Sequence, residues 1–194
     1  MTDDLHEALS KIERGLVRLG RQILLNSLQA GLQGVEVRSM LGSIGLPSTP
    51  ELETLYGWRN GTSTKGISAL GDIWLTPGFY LESLEDAALN YLTFVGDSRW
   101  TPGWLPIFAN GGGDFYVIDL TASGAGAIRH FRIDEVEHPI EFSSLRSFME
   151  TVAEGFERRI FYVDSDGYLE MDDLDFVDLA MEMNSDVAYW RDSA

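Results

Sequence analysis

Apolar residues near the N-terminus recur at alternating steps of four and three. Leu5, Leu9, Ile12, Leu16, Leu19 and Ile23 fall on one stripe, with Glu7, Lys11, Arg14, Arg18 and Arg21 opposite. This spacing predicts one long amphipathic helix over residues 2–29, with Thr2 or Asp3 as its cap and Gly31 and Gly34 at its end. A stripe this narrow suits packing on the chain's own sheet, and it also suits pairing with a second helix, so a monomer and a homodimer both remain open. A short helix follows over Val35–Ser43 and stops at Gly45-Leu46-Pro47, where the proline holds Leu46 extended. Pro50 then sits in the first turn of a helix capped by Thr49, which carries Leu52, Leu55 and Trp58 and is closed by Gly61.

The pattern changes in the middle of the chain. Ile67–Leu75 is apolar and reads as containing a strand, and Ser83-Leu84-Glu85-Asp86 opens a helix with Leu84, Ala87, Ala88 and Leu92. Trp104–Ala109 and Phe115–Leu120 read as strands joined by a hairpin turn at Asn110-Gly111-Gly112-Gly113-Asp114, with Ala127–Ile133 as the next strand. Ser143 or Ser144 caps a helix through Leu145, Phe148, Met149, Val152 and Phe156. The tail holds a short strand, a turn at Asp164-Ser165-Asp166-Gly167 and a last helix near Leu174–Met183. Helices, then consecutive hairpins, then helices predict an α+β fold: one domain with a central antiparallel, or mixed, sheet flanked by helices. Residues 1–34 are expected to pack as a helix on the body at 35–160, and 161–194 to extend the same domain.

Composition narrows the function. The 194 residues include 31 acids against 14 bases, a net charge of −17, and no cysteine. Disulfides, thiolate metal sites and a cysteine nucleophile are therefore excluded. The acidity disfavours nucleic acid and anionic membranes as partners and would steer a basic protein toward the chain, although solubility alone also accounts for it. No apolar run reaches the roughly 20 residues of a membrane span, and the acidic N-terminus is unlike a signal peptide. A cytoplasmic location is the resulting expectation.

The segments Leu46-Pro47 and Leu55-Tyr56-Gly57-Trp58-Arg59-Asn60-Gly61, then Phe79–Ala87, then Trp104-Leu105-Pro106-Ile107-Phe108-Ala109 with Gly111-Gly112-Gly113-Asp114 and the strand ending in Asp119, occur in a distinctive order. Together with Ser144-Leu145-Arg146-Ser147-Phe148 they resemble the SUKH superfamily, which includes bacterial immunity proteins and a yeast regulator of cell-wall assembly. The resemblance spans about residues 35–160 and implies an antiparallel sheet flanked by helices, no established catalytic site, and work done by binding other proteins. It implies structural roles for Leu46, Pro47, Trp58, Asn60, Gly61, Trp104, Pro106, Gly112, Gly113, Asp114 and Asp119. The function expected from it is stoichiometric neutralisation of a basic toxin, such as a nuclease, or alternatively an intracellular scaffold that binds several proteins.

Signals of other chemistry are weak. A strand follows Gly111–Asp114, whereas a phosphate cradle needs a helix there, and Asp114 is expected to accept backbone hydrogen bonds within the turn. Counting an EF-hand back from Gly167 places Tyr162 where the first calcium ligand belongs. His6, His130 and His138 form no close-spaced ligand pair, and neighbouring carboxylates such as Glu85-Asp86 are common in so acidic a chain. This reading assigns no catalytic residue, cofactor or metal. For partner binding it selects the acidic tail at Asp164, Asp166, Asp172, Asp173 and Asp175, with Trp100 and Trp190 as partly exposed anchors.

Overall fold

The computed structural model describes residues 2–191. The long N-terminal stripe is broken. Helix α1 (Thr2–Arg18) ends where Gly20 takes a φ of 70°, and the chain restarts as the short helix α2 (Gln22–Ser27) and strand β1 (Leu28–Ala30). Leu5, Leu9, Ile12 and Leu16 are fully buried, while Ile23 lies on the surface, so the apolar spacing outlives the helix it suggested. The stripe packs on helices of its own chain and is not free to pair with another copy. Arg21, expected on the solvent face, is buried, and its guanidinium donates to Gly167 O at 2.5 Å and Gly71 O at 2.6 Å. The cap expected at Thr2 or Asp3 falls on side chains outside the described residues.

Helix α3 (Gly34–Ser43) leads through buried Leu46 to α4 (Pro50–Trp58). Thr49 caps α4 as expected, accepting from Leu52 N–H at 3.2 Å with Pro50 at the first helical position. Strand β2 (Arg59–Thr62) pairs with β1 and includes Gly61, which therefore sits within a strand and does not close the preceding helix. Residues 67–75 form a 3₁₀ turn at Leu70–Ile73 and no strand, with an isolated bridge between Thr76 and Phe79 beyond it.

The main sheet is antiparallel throughout, in the order β3 (Tyr80–Leu81), β4 (Trp104–Ala109), β5 (Phe115–Asp119), β6 (Ile128–Phe131) and β7 (Ile140–Phe142). Pro106 lacks the N–H that a central strand needs, and the β4–β5 register slips between Pro106 and Phe108, the bulge at which a proline is tolerated. One side of the sheet joins the main core with α1, α4, α5 (Leu84–Phe94) and α6 (Leu145–Glu157). On the other side Trp104, Ala109, Phe115, Val117 and Phe131 close over Phe94 and Trp100 as a second, aromatic cluster.

The tail forms a hairpin, β8 (Phe161–Val163) with β9 (Leu169–Met171), followed by α7 (Asp173–Met183) and α8 (Ala188–Arg191). Phe161, Leu169, Phe176, Leu179 and Trp190 all enter the main core. The chain is thus a single α+β domain with helices flanking one five-stranded antiparallel sheet. Among the described residues no helix is long and apolar enough to cross a membrane.

Candidate partner-binding surface

Two of the motif segments, 55–61 and 79–87, meet at one joint. Asn60, on β2, accepts from Leu84 N–H through Oδ1 at 2.9 Å and donates through Nδ2 to Glu85 at 2.9 Å, so one buried side chain ties β2 to the first turn of α5. Ser83 caps the same helix by accepting from Asp86 N–H. Asn60→Ala leaves the buried Leu84 N–H unsatisfied, and it is expected to cost about 2 kcal/mol of stability in urea unfolding.

The glycine run is a turn between β4 and β5, as its composition predicts, with one change of actor. Asn110 Oδ1 accepts from the N–H groups of Gly112 and Asp114, at 2.6 and 3.1 Å. Asp114 reaches across to Ile133 N–H, at 2.9 Å, and so ties the turn to the end of β6. Trp58 is half-buried beside Glu13 and Arg59. Asp119 is buried against Arg129 Nε at 2.8 Å and against Thr121. Burial pushes its carboxyl up, but the hydrogen bonds from Thr121 and Arg129 outweigh that and lower the pKa.

A histidine–acid pair invisible in the sequence appears at the sheet's edge. His130 Nδ1 lies 3.3 Å from Glu141 Oε1, which also takes Arg132 at 3.2 Å, while Tyr116 O–H reaches the other oxygen at 3.4 Å. With Glu141 committed to Arg132, the cluster ties β5, β6 and β7 together. Nearby, a cleft of about 830 Å³ is bordered by Arg99, Arg129, Arg132 and His138. Each of its arginines is already engaged by a carboxylate: Asp97, Asp119, or Glu135 with Glu141.

The predicted binding residues divide sharply. Trp100 and Trp190 are buried, which corrects the expectation of exposed anchors. Trp100 packs 4.8 Å from Phe131 between ring centroids, and Trp190 packs on Phe142 while donating to Glu141 O from the edge strand. Two of the acids are also structural. Asp164 Oδ1 accepts from Asp166 and Tyr168 N–H in the β8–β9 turn, and Asp172 caps α7 by accepting from Leu174 and Asp175 N–H. Asp166, Asp173 and Asp175 are exposed, as is Asp178 one turn further on, and no ion pair holds them among the described residues. Glu182, by contrast, is gripped by Arg158 at 2.7 and 2.9 Å.

The apolar members of this surface escaped the sequence. Asp172 N–H donates to Ile160 O at 3.2 Å, which starts α7 beside β8. Leu174 on α7 is 79% exposed and Tyr162 on β8 is 47% exposed, while the exposed acids lie in the β8–β9 turn and on α7. Period-two alternation in Phe161-Tyr162-Val163 could have flagged Tyr162; Leu174 lies one position off the buried stripe of α7. The hairpin and α7 thus expose two large apolar side chains and four carboxylates that no ion pair holds among the described residues. Comparison with models of known protein families gives no match, and comparison with curated proteins finds no relative.

Proposed function

We propose that this chain is a non-catalytic binding module of the SUKH type, and that it neutralises a basic toxin domain by stoichiometric binding through the β8–β9 and α7 surface. The observation that carries the reading is that the β8–β9 hairpin and α7, joined by the Asp172 N–H to Ile160 O bond, expose Leu174 and Tyr162 together with the carboxylates Asp166, Asp173, Asp175 and Asp178. Carboxylates at a rim raise the association rate and reject acidic competitors, while affinity rests on apolar groups that lose water. Against a nuclease, such a surface would fill a groove built for phosphate. The motif residues support the same reading from the inside: Asn60, Gly61, Asp114 and Asp119 hold joints of the fold and leave binding to the surface.

Capture from a lysate of the source organism tests this. The wild-type chain should retain a basic protein at low salt and lose most of it at high salt. The Asp166→Asn/Asp173→Asn/Asp175→Asn variant should retain on the order of tenfold less at low salt, since removing rim charge slows association. Recovery of no basic protein at either salt, or equal recovery by the variant, would overturn the proposal.

A further inference from the structure

The charge of −17 is unevenly spread. Residues 22–50 contain one acid, Glu36, and one base, Arg38, and residues 87–96 contain neither. Arg38 is itself neutralised by Glu53. These stretches supply α3 and most of α5, which pack against each other and bury Val37 and Leu41 on one helix and Leu84, Ala87 and Tyr91 on the other. The outward side of α3 keeps Glu36, Arg38 and Ser39 exposed beside Val35, but α5 after its first turn exposes only Leu89, Leu92 and Thr93, where a surface helix ordinarily carries charge. Leu89 and Leu92, one turn apart on α5, are 64% and 55% exposed, while Val35 on α3, 63% exposed, borders a shallow hollow of about 480 Å³ shared with Glu36, Ser39, Met40 and Ser43. Scattered exposed apolar residues are ordinary. A leucine pair at helical spacing, on a helix with no charge after its first turn, is a contact surface.

We infer that this face binds a second copy of the chain, with α5 against α5 about a twofold axis. Two copies of so acidic a molecule repel each other wherever carboxylates meet, and the charge-free stretch of α5 from Ala87 onward lets them approach without that penalty. A twofold contact must also be self-complementary, which Leu89 and Leu92 satisfy by exchanging partners across the axis. The acids of α5, Glu85 and Asp86, lie in its first turn, where Asn60 and Ser83 engage them. In an antiparallel crossing of two helices about 16 Å long, the leucines meet at the centre and the four carboxylates sit at opposite ends. The β8–β9 and α7 surface takes no part in this contact, so the inference stands independently of the function proposed above.

Salt separates the two contacts. Screening the mutual repulsion should strengthen self-association, whereas it should weaken capture of a basic partner. Sedimentation equilibrium of the full chain, from low to high micromolar concentration at low and high sodium chloride, should give a dimer whose fraction rises with both protein and salt. Leu89→Glu/Leu92→Glu should shift the dimerisation constant by at least about a hundredfold, two factors of ten for two buried leucines, with an unchanged circular dichroism spectrum. Leu89→Gln/Leu92→Gln serves where glutamate perturbs the fold, and Leu174→Glu should dimerise like the wild type. A wild-type chain that is monomeric at every concentration and salt, or a dimer that survives both leucine replacements, overturns the inference.

Discussion

Replacing Gly61 with alanine is expected to remove about 4 kcal/mol of stability, at the upper end of single-residue effects, and to leave a chain that unfolds at far lower urea than the wild type. Two costs combine. Gly61 has a φ of +73°, in the left-handed region where an L side chain costs roughly 1–2 kcal/mol. The larger cost is contact: a Cβ built there lies 2.1 Å from Ser83 N and 2.4 Å from the carbonyl carbon of Glu82, which are backbone atoms fixed at the entry to α5. Neither can retreat without breaking the Asn60–Leu84 hydrogen bond or the Glu82 N–H to Ile107 O bond at 3.0 Å that holds this segment against β4. Gly66 is the natural control. Its φ is +77°, but nothing lies within 4 Å of its added Cβ, so Gly66→Ala should cost only the conformational term, about 1 kcal/mol. Equal midpoints for the two variants in urea would show that the clash is relieved and that Gly61 matters only for its dihedral angle.

The same position shows how the sequence could be read and where it misled. Asn60-Gly61 reads as the close of a helix because glycine so often ends one, and the left-handed conformation is indeed there. It serves instead a backbone crossing with residues 82–83, a partner more than twenty positions away that local pattern does not reveal. Signals that depend on neighbours alone came through well: Thr49-Pro50, Ser83 and Ser144 all cap helices, and Asn110–Asp114 turns between two strands. Periodicity failed at Leu19 and Ile23 because it measures spacing and not continuity, and Gly20 was enough to break the helix beneath it. Trp100 and Trp190 were misplaced for a related reason. Each stands in a turn or near the terminus, yet each is covered by elements remote in the chain, Phe131 in one case and Phe142 with Phe176 in the other. Of the candidate surface, the acidity was legible and its apolar centre was not. Asp164 and Asp172 look like Asp173 in sequence, and only the backbone N–H groups they accept from set them apart.

The second large effect concerns Glu82, next to the same crossing. Its side chain is buried beside Tyr56, Tyr80 and the first turn of α5, with Asn90 donating to Oε1 at 2.6 Å and no partner at Oε2. Loss of water raises its pKa from 4.5 to about 8; the Asn90 hydrogen bond opposes this and Asp86 adds to it. The folded protein therefore holds a proton here that the unfolded chain gives up near pH 4.5. The stabilisation is complete below that pH, falls as the pH rises toward 8, and is gone above it, a total on the order of 4 kcal/mol. Glu82→Gln keeps the shape and the Asn90 contact without the charge. Subtracting its stability curve from the wild type's cancels the other carboxylates, which titrate alike in both. The difference should be near zero at about pH 4 and should favour the variant increasingly up to about pH 8, then level off. The hydroxyl of Tyr56, fully buried and itself without a partner, should follow: burial raises its pKa first, and the charge on Glu82 raises it further. In the variant its ionisation should therefore need a less alkaline solution, readable from the phenolate absorbance. Parallel stability curves for wild type and variant across this range would mean that Glu82 reaches water, and that the joint between β2, β3 and α5 is looser than the packing of Tyr56 implies.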